Sequence, residues 1–401
     1  MMIIAFSIVF LLPIFGVILA PVCLSSQQRS RQIWGGIMLA FMLAVIGYNF
    51  TPLSSQNTDF LRHISRMKIA ENYTYGSGSA ATFENLPLFY LTLKLFSQFD
   101  SPYCLPFFSV LVQYSVLFII IVLHSEHSGG GSFSTITGII SVVCLTSYLG
   151  FCSGVFQYLT FTLYVLFVYV ELYSDKRIAK IVAWLGYISL PFLHSSATLL
   201  ILIRVFYLIY QSGKKYSRFI LVLAVCWSEL QHVIIKALSA FSGNAGVSYL
   251  LSVIGDYTKM PSAVNSLQRL IRIMALAAIA GMAFMIQRKN RKESFLDNKD
   301  ACYIDYIMLL AFFTCGSFFQ YDIFTRFIML TVMMGAPVVG IYFRNNSLKS
   351  VSNSILYCVW IGFCGMSLIY YYFSAYTEFH FNSFTDILFT NGLTVLKGMF
   401  S

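Results

Sequence analysis

Helical spacing in Thr58-Asp-Phe-Leu-Arg-His-Ile-Ser-Arg66 puts Asp59, Arg62, His63 and Arg66 three or four residues apart, hence on one face, with Phe60, Ile64 and Met67 on another. Guanidinium groups grip phosphate oxygens and keep their charge when partly dehydrated, and a carboxylate or imidazole beside them can move a proton. This face therefore reads as a grip for an anionic, lipid-linked group. The competing reading is an interfacial helix whose charges pair with each other and with lipid headgroups. Gln268-Arg269-Leu-Ile-Arg272, and Asp322 with Arg326 four residues on, lie at the ends of apolar runs. Several converging arginines are what a pyrophosphate site requires, although arginines at membrane ends also snorkel for structural reasons. His194, in Pro191-Phe-Leu-His-Ser-Ser196, lies at a bend between two short apolar runs and fits a base or a hydrogen-bonded helix cap. Glu229, His232 and Lys236 align along one stripe of an apolar run. They fit the wall of a catalytic cavity, a proton relay or a structural ion pair.

The elements that must position these groups are apolar helices. Of 401 residues, 58% are apolar and only 10% charged, whereas soluble domains carry about a quarter charged residues. The chain reads as all-α, a single polytopic membrane domain over 1–401, with extended outward loops at 51–102 and 241–269 and a tail from 374. Candidate spans are 2–22, 33–50, 103–123, 133–150, 155–172, 181–194, 196–211, 219–240, 270–287, 304–320, 326–343 and 353–373. That is about twelve, or ten to twelve if the pair around His194 is one kinked unit. The loops holding Arg29 and Arg31, Lys176 to Lys180, Lys214 to Arg218, Arg288 to Lys292, and Arg344 with Lys349 fall on one side under the twelve-span layout. Retained positive charge marks that side as cytoplasmic, and both termini then face outward. The net charge of +10 is mostly this topological signal and makes no case for nucleic acid.

In the first outward loop, Asp59 to Asn72 reads as a polar helix. A Gly/Ser hinge at 75–79 follows, then an interfacial half-helix beginning near Glu84. Nine cysteines are scattered singly and read as small hydrophobes, not metal ligands or a disulfide framework. No Gly-Lys-Ser phosphate loop, GxGxxG turn, HExxH or His/Cys ligand set is present, so no cofactor and no metal is expected. Aromatic residues, dense at Tyr370-Tyr-Tyr-Phe373, fit interfacial belts and also sugar-stacking faces.

The order of Asn57-Thr-Asp-Phe60, Glu84-Asn-Leu-Pro-Leu-Phe-Tyr90, the Phe-Leu-His194-Ser-Ser hairpin and Asp322-Ile-Phe-Thr-Arg326-Phe resembles the EpsG/Wzy-type polysaccharide polymerases of bacterial O-antigen and capsule assembly. The resemblance implies glycosyl transfer between undecaprenyl-pyrophosphate-linked oligosaccharide repeats at the periplasmic face of the inner membrane. A flippase and a chain-length regulator of the same pathway would be its partners. It favours Asp59, Glu84, His194 and Arg326 as site residues. Where many members carry an Arg-Gln pair before the histidine hairpin, this chain reads Val155-Phe-Gln157-Tyr158, so only Gln157 is carried over. On this reading Arg62, Arg66, Arg269, Arg272 and Arg326 hold pyrophosphate and Asp59, His63, Glu84 or His194 takes the proton. The alternative from another class is a lipid-linked oligosaccharide flippase, which needs cationic groups deep in the bundle.

Overall fold

The computed structural model describes residues 2–53, 58–74, 81–212, 217–227, 233, 236, 239, 248, 251, 266–318, 320–345, 350–376, 379–381 and 389–400. In chain order the helices are α1 (Met2–Leu11), α2 (Gly16–Leu24), α3 (Arg29–Tyr48), α4 (Asp59–Asn72), α5 (Ala81–Asn85), α6 (Pro87–Phe96), α7 (Cys104–His127), α8 (Gly131–Leu145) and α9 (Tyr148–Ser153). There follow α10 (Val155–Tyr173), α11 (Arg177–Ser189), α12 (Ala197–Ser212), α13 (Ser217–Val225), α14 (Ser266–Glu293), α15 (Asn298–Gly316), α16 (Tyr321–Asn345), α17 (Val351–Tyr376) and α18 (Gly392–Phe400). Two short strands, β1 (Phe50–Pro52) and β2 (Phe379–Phe381), pair antiparallel, with Thr51 opposite His380.

Every expected span coincides with helix over at least part of its length, but among the described residues only α3, α7, α10, α14, α16 and α17 are long and apolar enough to cross a membrane by themselves. The expected first span, 2–22, is broken. Proline lacks the N–H a helix needs and disfavours helical backbone in the residue before it, and Leu12 takes φ −138°, ψ 81° ahead of the single turn Pro13–Phe15. The pair flanking His194 is short for the same reason: α11 has 13 residues, roughly 20 Å of helix against a hydrocarbon core of about 30 Å, and Pro191 turns the chain at its end. The expected span 133–150 ends at Leu145, because the Ser147 hydroxyl accepts from Gly150 N–H and starts α9 afresh.

The centre is α16, packed along α8 and α14, with 83% of its apolar stretch buried against 22% for the peripheral α17. Close approach of α8 and α16 needs a glycine: a Cβ at Gly340 would stand 2.4 Å from the Ser134 hydroxyl. Outward faces are apolar as well. On α11 the exposed Ile178, Ile181, Val182, Leu185 and Ile188 form one stripe. An uncovered stripe of this kind is costly in water and matched to acyl chains, which fits a membrane-embedded protein.

The two ends of the bundle differ in character. At one end, Arg29 meets Glu126 at 3.1 Å, His127 meets Asp297 at 2.6 Å and Lys299 meets Asp175 at 2.8 Å. Four of the expected basic loops, those near Arg29, Lys176, Arg291 and Arg344, thus gather with the α7–α8 turn. At the other end α4, α6, the His194 loop and the β1–β2 ribbon come together. The C-terminal segment closes over that end: Ser101 N–H donates to Gly398 O at 2.9 Å and Thr390 Oγ1 to Asn49 Oδ1 at 3.1 Å.

Five of the nine cysteines are buried and all are free thiols; Cys226, Cys315 and Cys358 face outward.

Candidate functional site

Thr58 caps α4, its hydroxyl accepting from Leu61 N–H at 3.4 Å. Asp59 takes the first turn, where the partial positive charge of a helix start favours a carboxylate. The buried residues Phe60, His63, Met67 and Ala70 form the docking stripe. His63 therefore faces inward with Phe60 and Met67, whereas Asp59 and Arg62 are exposed and bonded to each other. The sequence reading placed all four polar residues on one face. Four residues advance only about 40° around a helix, yet the edge of the buried face falls between Asp59 and His63, because an imidazole tolerates aromatic packing that an unpaired charge does not. The His63 ring lies 5.0 Å from that of Phe156 and 6.1 Å from that of Phe89, and its Nδ1 has no hydrogen-bond partner among the described residues. Dehydration lowers its pKa to about 4. Asp59 opposes that fall, and Arg66 and Arg62 add to it.

Two residues beyond Phe156 on α10, the Tyr158 hydroxyl lies in the combined field of Arg272 on α14, Arg326 on α16, Tyr371 on α17 and Asp59 on α4. Its ring rests on the backbone of α9, where a Cβ at Gly150 would come within 2.5 Å of Cζ, so only glycine admits it. Arg272, buried, is hydrogen-bonded to the Tyr371 hydroxyl. Arg326 is half-buried.

His194 joins this group, since the Arg326 charge and the titrating ring of His63 both act on it. Its Nδ1 meets Ser196 Oγ at 2.8 Å and accepts from Ser196 N–H at 3.3 Å. A backbone N–H can only donate, so Nδ1 is the acceptor and Nε2 carries the proton of the neutral ring. Dehydration by crowding neighbours, then Arg326 and His63, hold its pKa down at about 3. The cap reading of His194 thus fits its geometry: Nδ1 holds Ser196 at the start of α12, and Nε2 is left as a donor rather than a base.

Segments far apart in sequence thus bring Asp59, Arg272 and Arg326 within electrostatic reach of the Tyr158 hydroxyl, and Arg326 and His63 within reach of His194. No family model matches the chain, and no curated protein or solved structure is significantly similar to it. The chemistry of this cluster therefore has to be argued from its own residues.

Other expected site residues have different surroundings. Glu84 accepts from the Tyr73 hydroxyl at 3.0 Å within an aromatic group of Tyr73, Phe83 and Tyr90. Arg66 stands 5.6 Å over the Phe89 ring. Arg269 donates to Phe318 O and lies 4.5 Å over its ring, fastening α14 to the α15–α16 turn. Gln157 is half-buried beside Tyr158. Lys236 is exposed; Glu229, His232 and the hinge 75–79 lie outside the described residues, as does most of 241–269, and Asp322 lies in α16 with its side chain outside them.

Sequence reasoning missed two members of the Tyr158 cluster. Tyr158 stood next to a chosen glutamine, and Tyr371 sat inside a run read as an interfacial belt. Away from this cluster it also missed Glu171, near the end of α10, which takes Nε and Nη2 of the buried Arg204 guanidinium at 2.8 Å, with Nη1 left without a hydrogen bond among the described residues, and also accepts from Trp184 Nε1 at 3.1 Å and Tyr187 OH at 2.9 Å. Every lone-pair direction of that carboxylate is used, and the guanidinium also packs over Tyr207 and Tyr306.

Proposed function

We propose that the chain is a membrane glycosyltransferase of the inner membrane that joins polyprenyl-pyrophosphate-linked oligosaccharide repeats at the outward end, around Tyr158. The observation that carries this reading is the convergence of Arg272 and Arg326 with Asp59, His63 and His194 at the end opposite the basic loops. A pyrophosphate already departs readily, so the protein has three tasks: to neutralise its charge, orient the attacking hydroxyl and accept a proton. Arg272 and Arg326 hold the donor pyrophosphate, and the His194 Nε2–H donates to an oxygen of donor or acceptor. The acceptor hydroxyl oxygen bonds to the donor's anomeric carbon as the bond from that carbon to pyrophosphate breaks. Asp59 takes the hydroxyl proton and the polyprenyl pyrophosphate leaves. The exposed Asp59–Arg62 pair opens to do this at small cost, since surface ion pairs contribute only about 0–1 kcal/mol.

A flippase would need a deep cation available to its cargo. Among the described residues the most deeply buried arginine, Arg204, is paired with Glu171, which weighs against that alternative.

The test is a gel of the lipid-anchored surface glycan in a deletion strain complemented with Arg272→Gln, Arg326→Gln or the unaltered gene. Anchors capped with a single repeat and no ladder, in the deletion and in both variants, are expected. Absence of any repeat at the surface in the deletion points to flipping or an earlier step. An unchanged ladder in well-expressed variants removes the arginines from the site.

A further inference from the structure

Two pairs of metal-ligating side chains face each other at the basic end, far from Tyr158: along α10 alone, Tyr173 lies 15 residues, roughly 22 Å, beyond it. His124 and His127 occupy the last turn of α7; Asp297 caps α15 and Asp300 sits in its first turn. One ligand atom from each of His127, Asp297 and Asp300 lies within 4.8 Å of the others. Ligands at about 2.0–2.2 Å from a shared ion stand roughly 3–3.5 Å apart, a distance that small side-chain rotations reach from here.

The individual atoms fit that role. Asp297 Oδ1 is used by Asp300 N–H at 2.7 Å, which leaves Oδ2, 2.6 Å from His127 Nε2, as the ligand atom. Asp300 Oδ1 accepts from the Tyr173 hydroxyl at 2.7 Å, the outer hydrogen bond that ligating carboxylates usually have. Behind it His124, 1% exposed, has no hydrogen-bond partner at either ring nitrogen among the described residues, and its Nδ1 stands 3.6 Å from Asp300 Oδ1. A buried imidazole without partners is costly unless something at that carboxylate engages it. A groove of about 460 Å³, lined by Arg29, Glu126, His127 and Tyr173 among others, opens onto the group. The neighbouring carboxylates are already matched, Glu126 by Arg29 and Asp175 by Lys299. Arg344 also acts on Asp300, so a bound ion competes with its charge there.

We propose that His127, Asp297 and Asp300 bind one divalent transition-metal ion that ties α7 to α15, with His124 and Tyr173 positioning Asp300. Mixed imidazole and carboxylate ligands suit Zn²⁺ or Mn²⁺ rather than Mg²⁺ or Ca²⁺, which prefer oxygen alone. This site is independent of the glycosyl-transfer reading.

The experiment strips the full-length, detergent-purified protein with a chelator and titrates it with Zn²⁺ alone against a chromogenic competitor, using Mg²⁺ as control. One Zn²⁺ per chain is expected, with thermal unfolding raised by Zn²⁺ and not by equal Mg²⁺. Asp297→Asn keeps a good helix cap, so it tests the ligand without removing the fold; it and His127→Gln are each expected to weaken binding at least about tenfold. Asp175→Asn, at the same end but outside the group, leaves affinity unchanged. Absence of stoichiometric Zn²⁺ overturns the proposal. So does Zn²⁺ binding that both ligand variants leave intact while eluting as monodisperse protein, because the ion is then held elsewhere, for instance by the free cysteines.

Discussion

Around Tyr158 the two histidines are uncharged at neutral pH, with His63 held at about 4 and His194 at about 3 against an ordinary 6.5. Both are depressed in the folded protein, so an undocked imidazole binds the proton that the docked one refuses. The stability this contributes is complete above pH 6.5 and is lost as pH falls from there towards 4 for His63. Acidification from pH 7 to pH 4.5 is therefore expected to loosen α4 from the start of α10, seen as faster hydrogen exchange in 59–72 with the exchange of α16 unchanged. His63→Phe keeps the packing on Phe156 and should abolish most of this acid sensitivity; equal loosening in the variant would assign it to other groups. The same physics bears on catalysis. Arg326 contributes to the low basicity of His194, so a bound pyrophosphate that neutralises Arg326 raises that pKa and keeps the imidazole a donor matched to developing negative charge.

The Glu171–Arg204 bond joins α10 to α12 beside the Tyr164–Leu200 hydrogen bond, with Trp184 and Tyr187 adding α11. Removing one member of a buried pair leaves an uncompensated charge and costs about 3–5 kcal/mol, whereas replacing both with apolar residues is often neutral. Glu171→Leu and Arg204→Met are each expected to lower the unfolding temperature in detergent sharply, and the double variant to recover most of it. Additive losses in the double variant would mean the pair is not the bond that matters. This pair also marks how far sequence reasoning reached. The start of α4 follows from Thr58 and Asp59, a cap and a first-turn acid, and the structure has the helix at Asp59–Asn72 as read. Pro13 and Pro191 mark breaks that hydropathy alone smooths over. Which groups meet is another matter, because Glu171 and Arg204 are 33 residues apart and their meeting depends on the rotation of three helices about their axes. The inward turn of His63 was hidden for the same reason: periodicity gives the stripe of a helix but not where the packing partner's edge cuts it. Arg272 and Arg326 were chosen for their guanidinium chemistry and both act on the Tyr158 hydroxyl, while Glu84 was chosen from a motif and has a tyrosine for its partner.

Seen whole, the molecule separates its charge by end. Arg29, Lys299 and Arg344 gather with Glu126, Asp297 and Asp300 at one end, Asp59, Arg272 and Arg326 lie at the other, and the deep Arg204 is matched by Glu171. On the proposed reading, the positive-inside tendency would put the first end in the cytoplasm and the Tyr158 cluster outside. The C-terminal helix settles which prediction this makes about the terminus. Its Gly398 carbonyl bonds Ser101 and a Cβ at Gly392 would meet Phe10 at 2.1 Å, so α18 shares an end with the loop at 51–102. A reporter active only outside the cytoplasm should therefore be active when fused after residue 401 and when inserted after Asp100, and inactive after Ser128 or Asp175. A reporter fluorescent only in the cytoplasm should give the reverse pattern. Activity on one side at all four positions would break the two-ended arrangement. Activity after Asp175 but not after Asp100 would invert it, placing Arg272 and Arg326 in the cytoplasm and removing the ground for outward glycosyl transfer.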